Sequence, residues 1–374
     1  MLVSIVLLKL LNNMVIGEVF INYWLIAGVV FLISCLLIFI ALKLFPVLGL
    51  MDRPHRYGLN RKPIPYYGGI AIFLAFVFSA LIFVPWSLQL GMFLLAAFIL
   101  VVLGLIDDYR GLPPWIRLAV QLVAALILVF SGIGILSFNV PFWGVVELNS
   151  WLWLGVPVFG ALFTVLWVMT LVNTMNFVDG VSGLSSGVAF LAGLTLFFLS
   201  INPALHTDLI SQSYVAVLSL ILAMVSLAFL IFDFPKSRIL MGDTGSTFLG
   251  FVVATLAIYS GGKVATAFLV LGIPILDMVW VVFRRIRSGG KFWKGDLNHL
   301  HHRLLRIGFS ERMVVVVYLF VTFILGAMAV MFIDSKQKIF MLLALLILML
   351  LLAFMLVHYG SKRDDKFVKP RSDD

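Results

Sequence analysis

Residues 21–46, INYWLIAGVVFLISCLLIFIALKLFP, run for 26 residues with a single charge, Lys43. Coiled as an α-helix at about 1.5 Å per residue, such a run exceeds the roughly 30 Å hydrocarbon core of a bilayer. It reads as a membrane span, and it has company. Apolar stretches of similar kind recur at 68–86, 90–106, 115–135, 153–173, 181–200, 210–232, 245–260, 263–284, 312–333 and 339–359, separated by short polar loops. Strands of a membrane barrel would instead alternate polar and apolar residues over about ten positions. The expected fold is therefore an all-α polytopic integral membrane protein of about eleven transmembrane helices.

Composition agrees. Of 374 residues, 63% are hydrophobic and 11% charged, with a mean hydropathy of +1.16. A water-soluble fold has too few polar residues here to cover its surface. Cys35 is the only cysteine, so no intrachain disulfide can form. The first twenty residues have no basic residue ahead of their apolar run and no small-residue cleavage pattern, so they read as an interfacial leader and not as a signal peptide.

Lysine and arginine sort by side. Arg53, Arg56, Arg61, Lys62, Arg110, Arg117, Lys236, Arg238, the eight between Arg284 and Arg312, and five after residue 360 fall in alternate loops, against only Lys263, Lys336 and Lys338 on the other side. By the positive-inside rule the rich side is cytoplasmic, which places the N-terminus outside and the C-terminus inside. The chain reads as one domain, 1–374, with 360–374 as a charged cytoplasmic tail expected to be disordered. The one long outward loop, Ser137 to Leu152, reads as a hairpin at the membrane interface.

The stretch least like the rest is RRIRSGGKFWKGDLNHLHHRLLRIGFSER, 284–312. It holds His299, His301 and His302, with Asp296 before them and Arg303 and Arg306 after. If 299–306 is helical, residues three and four apart share a face, and that face is cationic and suits a phosphate. Zinc is the competing reading, but no cysteine is near, and Asp296 and Glu311 are the only carboxylates in the loop.

The acidic residues share the same side. Asp107 and Asp108 follow the third span, Asp179 lies between the fifth and sixth, and Asp233 and Asp243 lie between the seventh and eighth. Acidic residues contribute little to topology, so insertion does not account for this clustering. Asp277 lies inside the ninth span, where a carboxylate facing lipid costs roughly 2.5 kcal/mol or more, so it should face the bundle; Pro274 just before it predicts a kink. The glycine-rich stretches NTMNFVDGVSGLSSG (173–187) and MGDTGSTFLG (241–250) each open a span at that face, which aims unpaired helix N–H groups toward it. Carboxylates beside a phosphate make sense when a divalent cation lies between them.

Taken together, IDDYRG (106–111), NFVDGVSGL (176–184), MGDTGST (241–247), PILDM (274–278) and DLNHLHHRLLRIGFS (296–310), preceded by KPIPYYGG (62–69), resemble the polyprenyl-phosphate N-acetylhexosamine-1-phosphate transferases. The resemblance covers nearly every cytoplasmic loop in order. It lies closest to the branch that uses undecaprenyl phosphate and UDP-GlcNAc, of glycosyltransferase family 4 type. It implies transfer of a sugar-1-phosphate, GlcNAc-1-phosphate first, from a UDP-sugar to undecaprenyl phosphate with release of UMP, at the cytoplasmic face of a bacterial inner membrane. Magnesium is the implied cofactor, with manganese as a substitute. Asp243 and Asp108 are the implied metal ligands, and Asp107, Asp108, His299, His301 and His302 the implied catalytic residues, with Asp107 as the base. Lys62, Asn173, Asn176, Asp179, Ser182, Leu240, Asp277, Asp296 and Arg303 would bind substrate. The lipid tail would lie between helices near the kinked ninth span. No nucleic-acid partner is expected, and a homodimer is compatible with the reading.

Three positions depart from the family pattern. Gly111 stands at the third aspartate of DDxxD, Ser182 at the second aspartate of DGxDG, and Leu240 where an aromatic precedes MGD. The last two touch the base pocket and imply relaxed recognition of uridine. Three other readings stand beside this one: transfer of phospho-MurNAc-pentapeptide, a carrier of an anionic or lipid-linked substrate, and an inactive relative that scaffolds an assembly. A carrier would place its ionisable residues near the midplane. An inactive relative would lose Asp243 or the histidines.

Overall fold

The computed structural model describes residues 14–16, 19–54, 61–140, 144–153, 155–202, 209–260, 264–287, 299–332, 337, 339–347 and 350–351. Among these the chain is a helical bundle with three small two-stranded sheets. Its helices are α1 (Tyr23–Val47), α2 (Gly68–Phe83), α3 (Leu88–Arg110), α4 (Pro114–Phe130), α5 (Val158–Val178), α6 (Leu184–Ser200), α7 (Leu209–Asp233), α8 (Gly242–Tyr259), α9 (Val264–Val270), α10 (Gly272–Arg287), α11 (Leu300–Arg306) and α12 (Glu311–Met331). Residues 339–347 are helical as well. Five helices, α1, α3, α5, α7 and α12, are long and apolar enough to cross a membrane. That makes the chain a multi-pass membrane protein. The expected tail and the N-terminal leader up to residue 13 lie outside the described residues.

Local chemistry sets the helix ends. The side chains of Asn22, Ser87 and Ser310 accept from the N–H three residues on, which caps α1, α3 and α12. Pro114 opens α4, where its missing N–H costs nothing. Gly111, at φ 71, closes α3. Because that stop comes after Arg110, Asp107 and Asp108 sit in the last turn of α3 and not beyond it as the span 90–106 predicted. The fifth helix is displaced from 153–173 to 158–178. Trp153 and Val156 pair in a small antiparallel sheet, and Pro157 supplies the N-cap. The displacement carries Asn176 to the end of the helix, beside Asp179. The loop from Ser137 to Leu152 carries a hairpin as expected, with β-strands Ser137–Val140 and Gly144–Glu147 paired antiparallel.

The expected ninth span, 263–284, is broken at Leu271 into α9 and α10. Pro274 is the cause, since its ring clashes with the carbonyl four residues back, at Val270.

The organising element is α8, buried on all sides and wrapped by α2, α3, α5, α6 and α7. Its contacts at the Asp243 end are backbone to backbone. A Cβ on Gly69 would stand 2.2 Å from the Gly245 nitrogen, and one on Gly104 would stand 2.5 Å from the Thr244 Cα. Farther along, Phe248 meets Phe73 and Phe76 edge to face at 5.5 Å, and Phe251 stacks on Phe93 at 5.8 Å. Such pairs add about 0.5–1.5 kcal/mol each beyond area burial.

Candidate active site

The sequence-predicted aspartates meet where the last turn of α3 and the first turns of α4 and α8 converge. Asp108 Oδ1 accepts from the Tyr66 hydroxyl at 2.9 Å and the Asp243 N–H at 2.9 Å. Its Oδ2 accepts from the Thr244 N–H at 3.1 Å and the Thr244 hydroxyl at 2.7 Å. A carboxylate offers about four acceptor sites, so Asp108 is saturated. It acts as the cap of α8, supplied from another helix. Gly242, at φ 73, makes room for it, because a Cβ there would lie 2.6 Å from Asp108 Oδ2.

Asp107 is engaged differently. Its Oδ1 accepts from the Leu112 N–H at 2.6 Å, and its Oδ2 lies 3.2 Å from an Arg117 nitrogen. The same guanidinium nitrogen lies 3.5 Å from Asp243 Oδ2. Arg117 thus sits between the two carboxylates, from the first turn of α4. The Asp243 side chain is 35% exposed against 7% for Asp107, so Asp243 is the more open of the two to an incoming group.

One face of this centre is the end of α5. Asn176 donates to the Ser246 hydroxyl at 3.2 Å, which ties it to α8. Asn173 is committed to α4, donating to Gln121 Oε1 at 2.7 Å. Asp179 caps α5, and its carboxyl is pushed well above the ordinary range by burial and then by the charges of Asp233, Asp243 and Asp108. Such crowding of like charge is relieved by a cation. Among the described residues no three or more His, Cys, Asp or Glu side chains converge into a self-sufficient metal cage. Magnesium does not require one, since it is commonly held by one or two carboxylates plus substrate phosphates and water. Asp243, half-buried and sharing Arg117 with Asp107, fits that mode.

The second group is the histidine segment. The helix starts at Leu300 with His299 as its extended N-cap, so His299 lies outside the helical face that the sequence suggested. Instead its ring stacks parallel to His301 at 5.7 Å and lies against Phe177 of α5 at 5.0 Å. Phe177 thereby joins the histidines to the same helix end as Asn176 and Asp179. Asp277, buried ten residues before the end of α10, faces the bundle as expected. Its Oδ2 lies 3.0 Å from His299 Nδ1 and its Oδ1 accepts from the Leu300 N–H at 2.9 Å. It positions the histidine segment. His302 lies in α11 and Arg303 beside it is half-buried; Asp296 lies outside the described residues.

The remaining predicted residues frame the site. Lys62 is exposed and follows Arg61, which pairs with Asp52. Leu240 is half-buried, its N–H donating to Pro65 and its carbonyl accepting from Gly68, so it is clamped to the loop that carries Tyr66. The hydroxyl oxygens of Ser182 and Ser237 are 2.8 Å apart. Sequence reasoning missed Arg117, Tyr66, Thr244 and Ser237. Arg117 was counted toward topology, and Tyr66 lay unremarked inside KPIPYYGG.

An apolar cleft of about 260 Å³ opens beside the break in the ninth span, lined by Phe268, Gly272, Leu276, Leu342 and Leu346 among others. Leu276, on its wall, is the neighbour of Asp277 in sequence.

Residues 90–261, from α3 through α8, match the family described as glycosyl transferase family 4. A Bacillus subtilis (strain 168) protein named probable undecaprenyl-phosphate N-acetylglucosaminyl 1-phosphate transferase is 30% identical over 356 residues, covering 92% of this chain and 96% of its own. Decaprenyl-phosphate N-acetylglucosaminephosphotransferase of Mycobacterium tuberculosis (strain ATCC 25618 / H37Rv) is 30% identical over 322 residues, 78% of each chain. Undecaprenyl-phosphate alpha-N-acetylglucosaminyl 1-phosphate transferase of Escherichia coli (strain K12) is 28% identical over 345 residues, 89% of each.

Proposed function

The chain belongs to the glycosyl transferase family 4 enzymes that include the polyprenyl-phosphate N-acetylglucosamine-1-phosphate transferases, and from that membership we propose that it transfers GlcNAc-1-phosphate from UDP-GlcNAc to undecaprenyl phosphate. An oxygen of the lipid phosphate attacks the sugar-bearing phosphorus, the bond from that phosphorus to the bridging oxygen breaks, and UMP leaves. The observation that carries the reading is the convergence of Asp107, Asp243 and Arg117, two carboxylates and a cation within 3.5 Å.

Each residue has work that its geometry supports. Asp107 takes the proton of the acceptor phosphate, and Arg117 turns to the phosphate oxygens as charge builds. Asp108 holds the first turn of α8 so that Asp243 faces the cleft. Asn176, Asp179 and Ser182 line the nucleotide side. His299, oriented through Nδ1 by Asp277, offers its other ring nitrogen to a phosphate oxygen, and His301, His302, Arg303 and Lys62 are assigned to phosphate with it. Magnesium or manganese, held by Asp243 with substrate phosphates, would neutralise the diphosphate and stabilise departing UMP. The prenyl tail enters along the apolar cleft beside Leu276.

The site is assigned to the cytoplasmic face of the inner membrane, because the Lys/Arg-rich loops lie on its side. With about eleven spans counted from apolar length, the same rule puts the N-terminus outside and the C-terminus inside.

The test is turnover of UDP-GlcNAc by purified protein with undecaprenyl phosphate and magnesium, read as UMP release. Asp243→Asn should abolish release while the protein keeps its elution profile and unfolding temperature. Full activity in that variant would refute the assignment of Asp243.

A further inference from the structure

Between α7 and α8 lies a buried carboxylate that the reaction above does not use. Asp233, the last residue of α7, is 4% exposed. Its Oδ2 accepts from the Gly183 N–H at 2.7 Å, and its Oδ1 accepts from the Ser237 hydroxyl. The Ser237 oxygen in turn lies 2.8 Å from the oxygen of Ser182, which is half-buried in the glycine-rich loop after Asp179. Gly183 fits because φ is 84 and no Cβ is present; one would lie 2.6 Å from the Cβ of Phe234. The two loops are clamped together, and the clamp has a polarity.

A hydroxyl has one proton. Ser237 can give it to the Asp233 carboxylate, to the Asp233 main-chain carbonyl 3.3 Å away, or to the Ser182 hydroxyl. The carboxylate can only accept, and the charge-assisted bond is the stronger, so the proton goes to Asp233. The contact with Ser182 is then made by the Ser182 proton. Ser182 is left with lone pairs alone to present outward.

We propose that Asp233, acting through Ser237, makes Ser182 an acceptor-only group that selects a nucleotide base by an N–H the base donates. The imide N–H of uracil meets that condition. The corresponding ring nitrogen of cytosine is itself an acceptor and is rejected. The chain thereby keeps the acceptor character of the aspartate that the family pattern has at 182, with the charge moved to the facing loop. This rests on the reading of the 173–183 region as the nucleotide side of the site, and it replaces the expectation of relaxed uridine recognition from Ser182.

Asp233→Asn tests the polarity. The Gly183 N–H requires the amide oxygen, so the amide NH₂ must face Ser237. Ser237 then accepts, its proton turns to Ser182, which at 2.8 Å is nearer than the Asp233 carbonyl at 3.3 Å, and Ser182 donates outward. In the transfer assay, kcat/KM is compared for UDP-GlcNAc and CDP-GlcNAc. The UDP/CDP ratio should fall roughly tenfold or more in Asp233→Asn, mainly through KM, since a site built for one hydrogen-bond sense loses its discrimination when that sense is reversed. Ser237→Ala should move the ratio in the same direction. A clamp that only stabilised the fold would slow both donors alike, so an unchanged ratio in these variants overturns the proposal. Should Asp233→Asn not fold, Ser237→Ala, which leaves the Asp233–Gly183 bond in place, decides alone. A wild-type protein inert toward UDP-GlcNAc would refute the transferase reading instead. Base discrimination is then read by calorimetry with UMP and CMP, where the same shift is expected.

Discussion

Leu240 is where side-chain chemistry and backbone placement can be separated. Its N–H and carbonyl are both bound to the Pro65–Gly68 segment, so the position of the side chain is fixed whatever that side chain is. An aromatic–base stack is worth about 1–3 kcal/mol, and leucine supplies only the apolar part of it. Leu240→Phe should therefore lower the KM for UDP-GlcNAc by up to roughly tenfold, measured at saturating lipid. Unchanged affinity would mean that the base lies elsewhere. The sequence was informative at Asp107, Asp243 and Asn176, where a polar residue at a glycine-rich helix end has few structural uses. It pointed to Asp108 but not to its capping role, which depends on Tyr66 arriving from a loop and Thr244 from α8. It was silent on Arg117, because a cationic loop residue after a span already has a topological explanation.

At the scale of the helices, α8 decides the geometry of the site. Gly69, Gly104 and Gly245 let α2, α3 and α8 touch through their backbones, which sets Asp108 against the N-terminus of α8. Gly69→Ala would force a methyl to within 2.2 Å of a backbone nitrogen that has nowhere to go. Overpacking of a core costs about 1–3 kcal/mol, so the variant should unfold at lower temperature and lose activity together. A loss of activity with no change in unfolding temperature would argue against this account. Periodicity and length located the helices, yet they missed the ends that matter. Gly111 stops α3 one turn later than hydropathy suggested, and Pro157 starts α5 later, because apolar content does not register caps. The break at Leu271 was foreshadowed by Pro274, whose effect falls on the preceding turn.

Across the whole molecule, Asp107, Asp108, Asp179, Asp233, Asp243 and Asp277 gather at one end of the bundle, and burial together with like charge there gives the fold a dependence on pH. Asp179 has its folded pKa raised above the unfolded value. The folded state then binds protons that the unfolded chain releases, so stability falls as pH rises from the ordinary carboxyl range through that raised value. A cation at the site offsets the loss. Magnesium should accordingly raise the unfolding temperature more at pH 8 than at pH 5.5, read by thermal scanning in detergent; an equal increment at both would count against a metal at this cluster. Sidedness is checked on a Cys35→Ala background. Lys236→Cys, at the end that holds the aspartates, should be shielded from an impermeant thiol reagent in intact cells, and Asn149→Cys, at the opposite end, should be labelled. The reverse pattern would invert the topology. The overall class was legible because hydropathy acts over whole spans, whereas the meeting of α3, α4, α5 and α8 depends on packing that no local run of residues records.

The glycine seam around α8 also bears on how such a chain can diverge. Positions 69, 104 and 245 admit essentially one residue, and the carboxylates they align inherit that rigidity. The loops at 179–183 and 233–240 are joined by hydroxyls and a single buried acid, contacts that a pair of exchanges can rewrite. Lineages built on this frame are therefore free to change which nucleotide carries the sugar they accept long before they can change what is done to it.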